Sequence, residues 1–239
     1  MHELAGYWPP VMFRRPRAVL FDVGMTLIHP SGAILIEELA AHSISVSVDA
    51  DTAARALIVS AEARHVPLPA HLDGTERVAL AWGRLLGVDS AALPACVAAL
   101  NRPDLYCELD PGAIGTLHSL KELGLALGAV SNSAGTVRAD LAAFDLLDLF
   151  DVVIDSTVVG IEKPAPGIFQ QALVELGLTG SDCWFVGDGL VNDVLAALGA
   201  GLAGGVLYDR FLCFEHLHGV ARINALDDLV SAVSLCDQR

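Results

Sequence analysis

The sequence predicts an α/β fold in three layers, with a parallel sheet between helices and a helical insertion after the first strand. Three observations predict it. Short apolar runs ending in a polar or acidic residue alternate with helix-like stretches. The links between them are short and contain glycine. Between positions 29 and 108 this alternation gives way to an Ala-rich, helix-periodic segment with few strand-like runs. Strand and helix in alternation with short links imply parallel strands, because each crossover returns the chain to the same edge of the sheet.

The first strand is 17–22, RAVLFD, apolar as a strand buried on both faces must be, and it opens into a turn containing Gly24 and Thr26. After the insertion, PGAIGTLHSLKELG at 111–124 starts at proline and ends at glycine, the punctuation of a helix. The next strand is LALGAVSN at 125–132, and the helix AGTVRADLAAFDLL follows at 134–147. DVVIDS at 151–156 reads as a strand and PAPGIFQQALVELG at 164–177 as a helix. CWFVGDG at 183–189 and LVNDVLAALGAGL at 190–202 repeat the pair. A last strand, GGVLYD at 204–209, and a helix around 225–235 complete the pattern. The expected core is thus 1–28 with 109–239, and the expected inserted domain is 29–108. In such sheets ligands bind outside the carboxyl ends of the strands. Asp22, Ser131 and Asp188 fall at that end of three separate strands, so distant stretches converge on one edge.

Composition narrows the partners. At 239 residues, 54% hydrophobic and 18% charged, the chain has ample material for its own core. A formal charge of −15 disfavours nucleic acid and anionic membrane, since neither polyanion gains by meeting a surface of its own sign. A phosphate-bearing ligand would need a local positive site. No apolar run approaches the roughly 20 residues that span a bilayer. The N-terminal MHELAGYWPPVMFRRPR lacks an apolar leader with a small-residue cleavage site, so a cytoplasmic protein is expected. Five cysteines, odd in number, scattered and without a C-x-x-C pair, are expected as reduced thiols. The sequence carries no signal of oligomeric state.

Four stretches together resemble a known family. LFDVGMTLIHP at 20–30 is similar to the first motif of haloacid dehalogenase-like hydrolases, normally Asp-x-Asp-Gly-Thr-Leu. SNS at 131–133 resembles the second motif, GIEKPAPGIFQQAL at 160–173 the third and FVGDGLVNDVLAALGAGL at 185–202 the fourth, in the family's order. The resemblance implies a Rossmann-like core with the insertion at the place of the family's C1 cap. It also implies a magnesium-dependent hydrolase of a small phosphorylated substrate.

The resemblance assigns the roles, and chemistry explains them. Asp22 is the nucleophile that would form an aspartyl-phosphate, splitting one hard displacement into two easier ones. Carboxylate and phosphate repel unless cations neutralise them. Magnesium prefers oxygen ligands and takes few protein carboxylates; Asp22, Asp188 and the backbone carbonyl of Gly24 are the implied set, with Asp193 as a supporting carboxylate behind them. Lys163, one of only two lysines with Lys121, supplies a compact positive charge to nucleophile and phosphoryl group. Ser131 offers its hydroxyl to a phosphoryl oxygen and Asn132 its backbone N–H. Thr26 is expected to bond within its own turn.

One departure stands out. The family's second motif-one aspartate, the general acid for the leaving alkoxide, is Gly24 here, followed by Met25 in place of glycine. Glycine keeps the carbonyl a metal would use and loses the proton donor, whose kind contributes about 10²–10⁴-fold. Slow turnover of poor leaving groups is expected unless the insertion or the substrate supplies the proton; His29, Glu62, Arg64, His65 and His71 are the candidates there. Arg55, Arg64, Arg77, Arg84 and Arg102 of the insertion permit an anionic metabolite or serve as surface ion-pair partners. The main rival is a non-catalytic homologue that binds magnesium or phosphate. Phosphonoacetaldehyde hydrolases of this superfamily need a cap lysine, and 29–108 contains none. Its dehalogenases attack carbon without metal and carry an aromatic residue at the place of Gly24, which fits poorly with Asp188 and Asp193.

Overall fold

The computed structural model describes residues 14–67 and 69–236; the stretch up to residue 13, where no leader is expected, lies outside the described residues. The chain divides into two compact units, one running to Leu27 and resuming at Leu109, the other being Ile28–Glu108.

Strand β1 (Ala18–Phe21) is buried at every residue, as its unbroken apolar run requires. In the smaller unit β2 (Ile28–Pro30) pairs with β3 (Tyr106–Leu109). Between them lie α1 (Gly32–Ala41), α2 (Ala50–Ser60), α3 (Gly74–Leu85) and α4 (Leu93–Leu100). Their starts are set locally. Asp49 accepts from the Thr52 N–H at 2.8 Å, and Asp73 and Glu76 satisfy each other's backbone N–H groups at 2.8 Å. Trp82, fully buried, donates its indole N–H to Ala53 O at 3.0 Å, which keys α3 to α2 and leaves no orphan donor. The two short strands escape a sequence reading because β3 is mostly exposed and too brief to show alternation.

In the larger unit the chain continues through α5 (Ala113–Glu122), β4 (Ala126–Ser131), α6 (Val137–Ala143), β5 (Val152–Asp155) and α7 (Ser156–Val159). Next come α8 (Pro166–Leu176), β6 (Cys183–Gly187), and a π-helical turn over Leu190–Leu195 that runs into α9 (Ala196–Gly199). β7 (Gly204–Tyr208), β8 (Ala221–Ile223) and α10 (Asp228–Cys236) end it. The six strands form one parallel sheet in the order β5-β4-β1-β6-β7-β8. Ala18 and Leu20 of β1 face a core shared with Ile168, Phe169 and Leu173 of α8 and Ala197 of α9, while Val19 and Phe21 point to the opposite face by strand alternation. Gly128 is a residue of β4 that must be small, because a Cβ there would meet Leu20 Cδ2 at 2.5 Å and Val152 Cγ1 at 2.8 Å.

The register positions the site. Phe21 lies opposite Ala129 of β4 and Val186 of β6, so the residues just past β1, β4 and β6 emerge side by side. Three expectations need correction. The helix expected over 134–147 is reduced to α6, because Ser133 and Thr136 use their hydroxyls in the preceding loop and Asp145 takes a left-handed φ of 57°. The helix expected from 190 begins as a π-helical turn. α7 and β8 are additional; α7 is capped by Asp155 on the Thr157 N–H at 2.9 Å and stopped by Gly160 at φ 70°.

Where the chain re-enters the larger unit, Asp110 is buried at 2% exposure and its N–H donates to Leu27 O at 2.9 Å. Its carboxylate accepts from Tyr208 Oη at 2.5 Å and from the Gly112 N–H at 2.8 Å. Burial, with Asp110 alongside, pushes the Tyr208 phenol up. Tyr208→Phe removes this donor from a buried carboxylate and should cost about 1–3 kcal/mol. An unchanged denaturant midpoint would show that the bond carries no net stability. None of the five cysteines is in a disulfide. Among the described residues no helix is long and apolar enough to cross a membrane.

Candidate active site

Four of the residues singled out from the sequence are bonded to one another. Asp22 follows β1, and its own N–H is held by Val186 O at 2.9 Å. Lys163, in the loop between α7 and α8, donates to Asp22 Oδ1 and to Asp193 Oδ1, each at 2.6 Å. The Ser131 hydroxyl, at the last position of β4, donates to the same Asp22 Oδ1 at 3.0 Å. All four side chains are buried, with Lys163 at 4% exposure and Asp193 at 2%. Asp22 Oδ1 thus takes two donors.

Electrostatics follow from that geometry. Burial opposes the charge on Lys163, but the carboxylates of Asp193 and Asp22 outweigh it and the ammonium is held more firmly than usual. The Phe185 ring lies 5.2 Å beneath the ammonium and adds a face of suitable polarity. Burial pushes Asp193 up to about 6, with the Asp22 charge adding to this and Lys163 opposing it. The second Asp193 oxygen accepts from the Gly189 N–H at 2.8 Å. The wide turn over Leu190–Leu195 lets one carboxylate reach both Lys163 and the Gly189 amide, and turns of this type recur at functional sites. Gly187 must lack a side chain, since a Cβ there would run into Asp193 Oδ2 and sit 2.7 Å from the Asp193 Cβ.

Asp188 lies just beyond β6 and is half-buried; oxygens of Asp22, Asp188 and Asp193 all fall within 4.8 Å of one another. The Thr26 hydroxyl does not stay in its own turn. It accepts from the Asp188 N–H at 3.1 Å and sits 3.5 Å from Asp188 Oδ1, tying the loop after β1 to the loop after β6. Sequence spacing could not show this, because the partner is 162 residues away. Gly24 is half-buried in the same turn. Met25 beside it adopts φ 66°, the left-handed conformation that explains a preference for glycine at this position. Asn132, whose backbone N–H is the expected donor, also engages its side chain with the backbone of Lys163 at 2.9 and 2.7 Å. Of the residues tied to the site, Thr26 and Phe185 were not read as such, and neither carries a local signal beyond its place in a motif.

Several of the charged residues of the helical unit are engaged locally. Arg64 donates to Ala61 O at 3.1 Å, and burial lowers the His65 imidazole. Arg102 forks onto Asp104 at 2.8 Å and reaches Glu38 at 2.9 Å, while Arg77 donates to Leu72 O at 2.6 Å and Arg64 O at 3.1 Å. These bonds hold the unit's own helices and loops together.

Comparison with known proteins fits this geometry. The profile of the haloacid dehalogenase-like hydrolases matches residues 16–201. A glyceraldehyde 3-phosphate phosphatase from Methanopyrus kandleri is 31% identical over 198 residues, 78% of this chain and 81% of that protein. Among solved structures, a HAD phosphatase from Thermococcus onnurineus superposes with a TM-score of 0.57 at 25% identity, covering 90% of this chain and 96% of the other. The putative HAD-hydrolase YfnB from Bacillus subtilis shares the fold at a TM-score of 0.64 and 19% identity, over 92% of this chain and 100% of the other.

Proposed function

The chain belongs to the haloacid dehalogenase-like hydrolase family, and from that premise we propose that it is a magnesium-dependent phosphatase acting on a small phosphorylated metabolite through Asp22. The observation that carries this is the buried Lys163 ammonium shared by Asp22 and Asp193, with Asp188 in reach of both. An all-oxygen donor set of three carboxylates facing one ammonium retains excess negative charge, which suits a hard divalent cation. Asp22, Asp188 and the Gly24 carbonyl would hold the magnesium ion, with Asp193 behind them. When bound, the ion supplies neutralisation of carboxylate and phosphoryl charge.

The chain's own residues do the rest. Lys163 and Ser131 fix one oxygen of Asp22, so the carboxylate is oriented before substrate arrives and little reorganisation remains. Attack on phosphorus forms an O–P bond to Asp22 and breaks the bond to the leaving oxygen; water then cleaves the acyl phosphate and restores the carboxylate. The Ser131 hydroxyl and the Asn132 backbone N–H are proposed donors to the phosphoryl oxygens. The helical unit is proposed to act as the cap that sets specificity and excludes water. The substrate of the Methanopyrus kandleri relative, glyceraldehyde 3-phosphate, is a starting point for that specificity. The acidic surface keeps the proposed partner a small molecule rather than nucleic acid or membrane, and a cytoplasmic setting accords with it.

The test is phosphate release from aryl, acyl, sugar and nucleotide phosphates with and without magnesium. Magnesium-dependent turnover is expected. Magnesium binding without release from any member would favour the non-catalytic rival. Because Gly24 offers no proton to the leaving oxygen, aryl and acyl phosphates should be preferred. Gly24→Asp should then raise turnover of alkyl phosphates by about 10²-fold or more; no gain in a folded, metal-binding variant would refute the missing-acid account.

A further inference from the structure

Lys163 is held by its backbone as well as by its charge. It lies in a loop between α7 and α8, outside any helix or sheet ladder, and the residue after it is a proline without an N–H. The Asn132 side chain meets both polar groups of this one residue: its carbonyl accepts from the Lys163 N–H at 2.7 Å, and its amide donates to Lys163 O at 2.9 Å. A primary amide carries an acceptor and a donor side by side, so it can imitate a strand partner in this two-point way. Asn132 is also fixed in turn, because it follows Ser131, the final residue of β4, which pairs with Asp155 of β5.

We infer that Asn132 is a positioning residue: its side-chain amide locks the backbone of Lys163 so that the ammonium stands between Asp22 and Asp193. This deepens the phosphatase reading and rests on it only for its kinetic consequence. Adjacent residues then divide the work, Ser131 orienting the Asp22 carboxylate and Asn132 the cation that faces it. A lysine stem is long and flexible, so an unpinned backbone would let the ammonium sample many positions. Displacement of a catalytic group by about 1 Å can cost 10²-fold in rate.

The chain provides its own test, because its two lysines differ. Lys163 is buried, while Lys121 pairs with Asp151 at the surface. Native protein, Asn132→Ala and Asn132→Asp are treated with a limiting amine-reactive acetylating reagent, and each lysine is quantified by peptide mass spectrometry. Asp has the size of Asn and keeps the acceptor, but opposes Lys163 O with a second oxygen, so it serves if the alanine variant does not fold. Labelling of Lys163 relative to Lys121 should rise about tenfold or more in both variants, the scale of losing a buried hydrogen bond. With a phosphate ester that the native protein hydrolyses, kcat should fall about 10²-fold while KM stays within about threefold. Lys163 labelling at the native level would overturn the inference, as would a raised KM with kcat intact, which would place Asn132 on the substrate. If the native protein hydrolyses no ester, the phosphatase reading fails and the labelling result still decides whether Asn132 positions Lys163.

Discussion

Asp22→Asn is expected to abolish magnesium-dependent phosphate release, a loss on the order of 10⁴-fold or more, as when one member of a catalytic unit is removed. The amide has the shape of the carboxylate but not its nucleophilic charge. The fold should survive, for a structural reason. The amide oxygen of the variant can still accept from Lys163 and Ser131, and Lys163 keeps Asp193 as its charged partner. The substitution also removes a negative charge that now pushes Asp193 up. Melting behaviour close to that of the native chain, together with background turnover, is the expected pair of results. Residual turnover within about tenfold of native would mean that another group attacks phosphorus.

Lys163→Met should show the second large effect, on stability as well as activity. It leaves the buried carboxylates of Asp22 and Asp193 without their shared cation, and breaking one side of a buried ion pair costs about 3–5 kcal/mol. Magnesium should restore part of this, because a ligand that binds only the folded state stabilises it by mass action. Urea titrations with and without the ion provide the measurement. A variant as stable as native without magnesium would show that the carboxylates do not depend on the ammonium, and stability indifferent to magnesium would count against the proposed metal site.

By itself the sequence determined the architecture of the larger unit and the identity of the residues at its strand ends. Apolar runs such as AVLF and CWFVG can only be buried on both faces, and parallel strands expose their carboxyl ends together, so Asp22, Ser131 and Asp188 had to converge. What the tertiary structure alone decided is who bonds to whom. Periodicity and spacing report on neighbours a few residues apart, whereas Thr26 reaches Asp188 and Asn132 reaches the backbone of Lys163 through the lateral order of β5, β4, β1 and β6. The π-helical turn belongs to the same class. LVNDVL carries ordinary helical residues, and its widening lets Asp193 keep its local bond to the Gly189 N–H while reaching Lys163, a contact that exists only once the sheet has brought the two loops together.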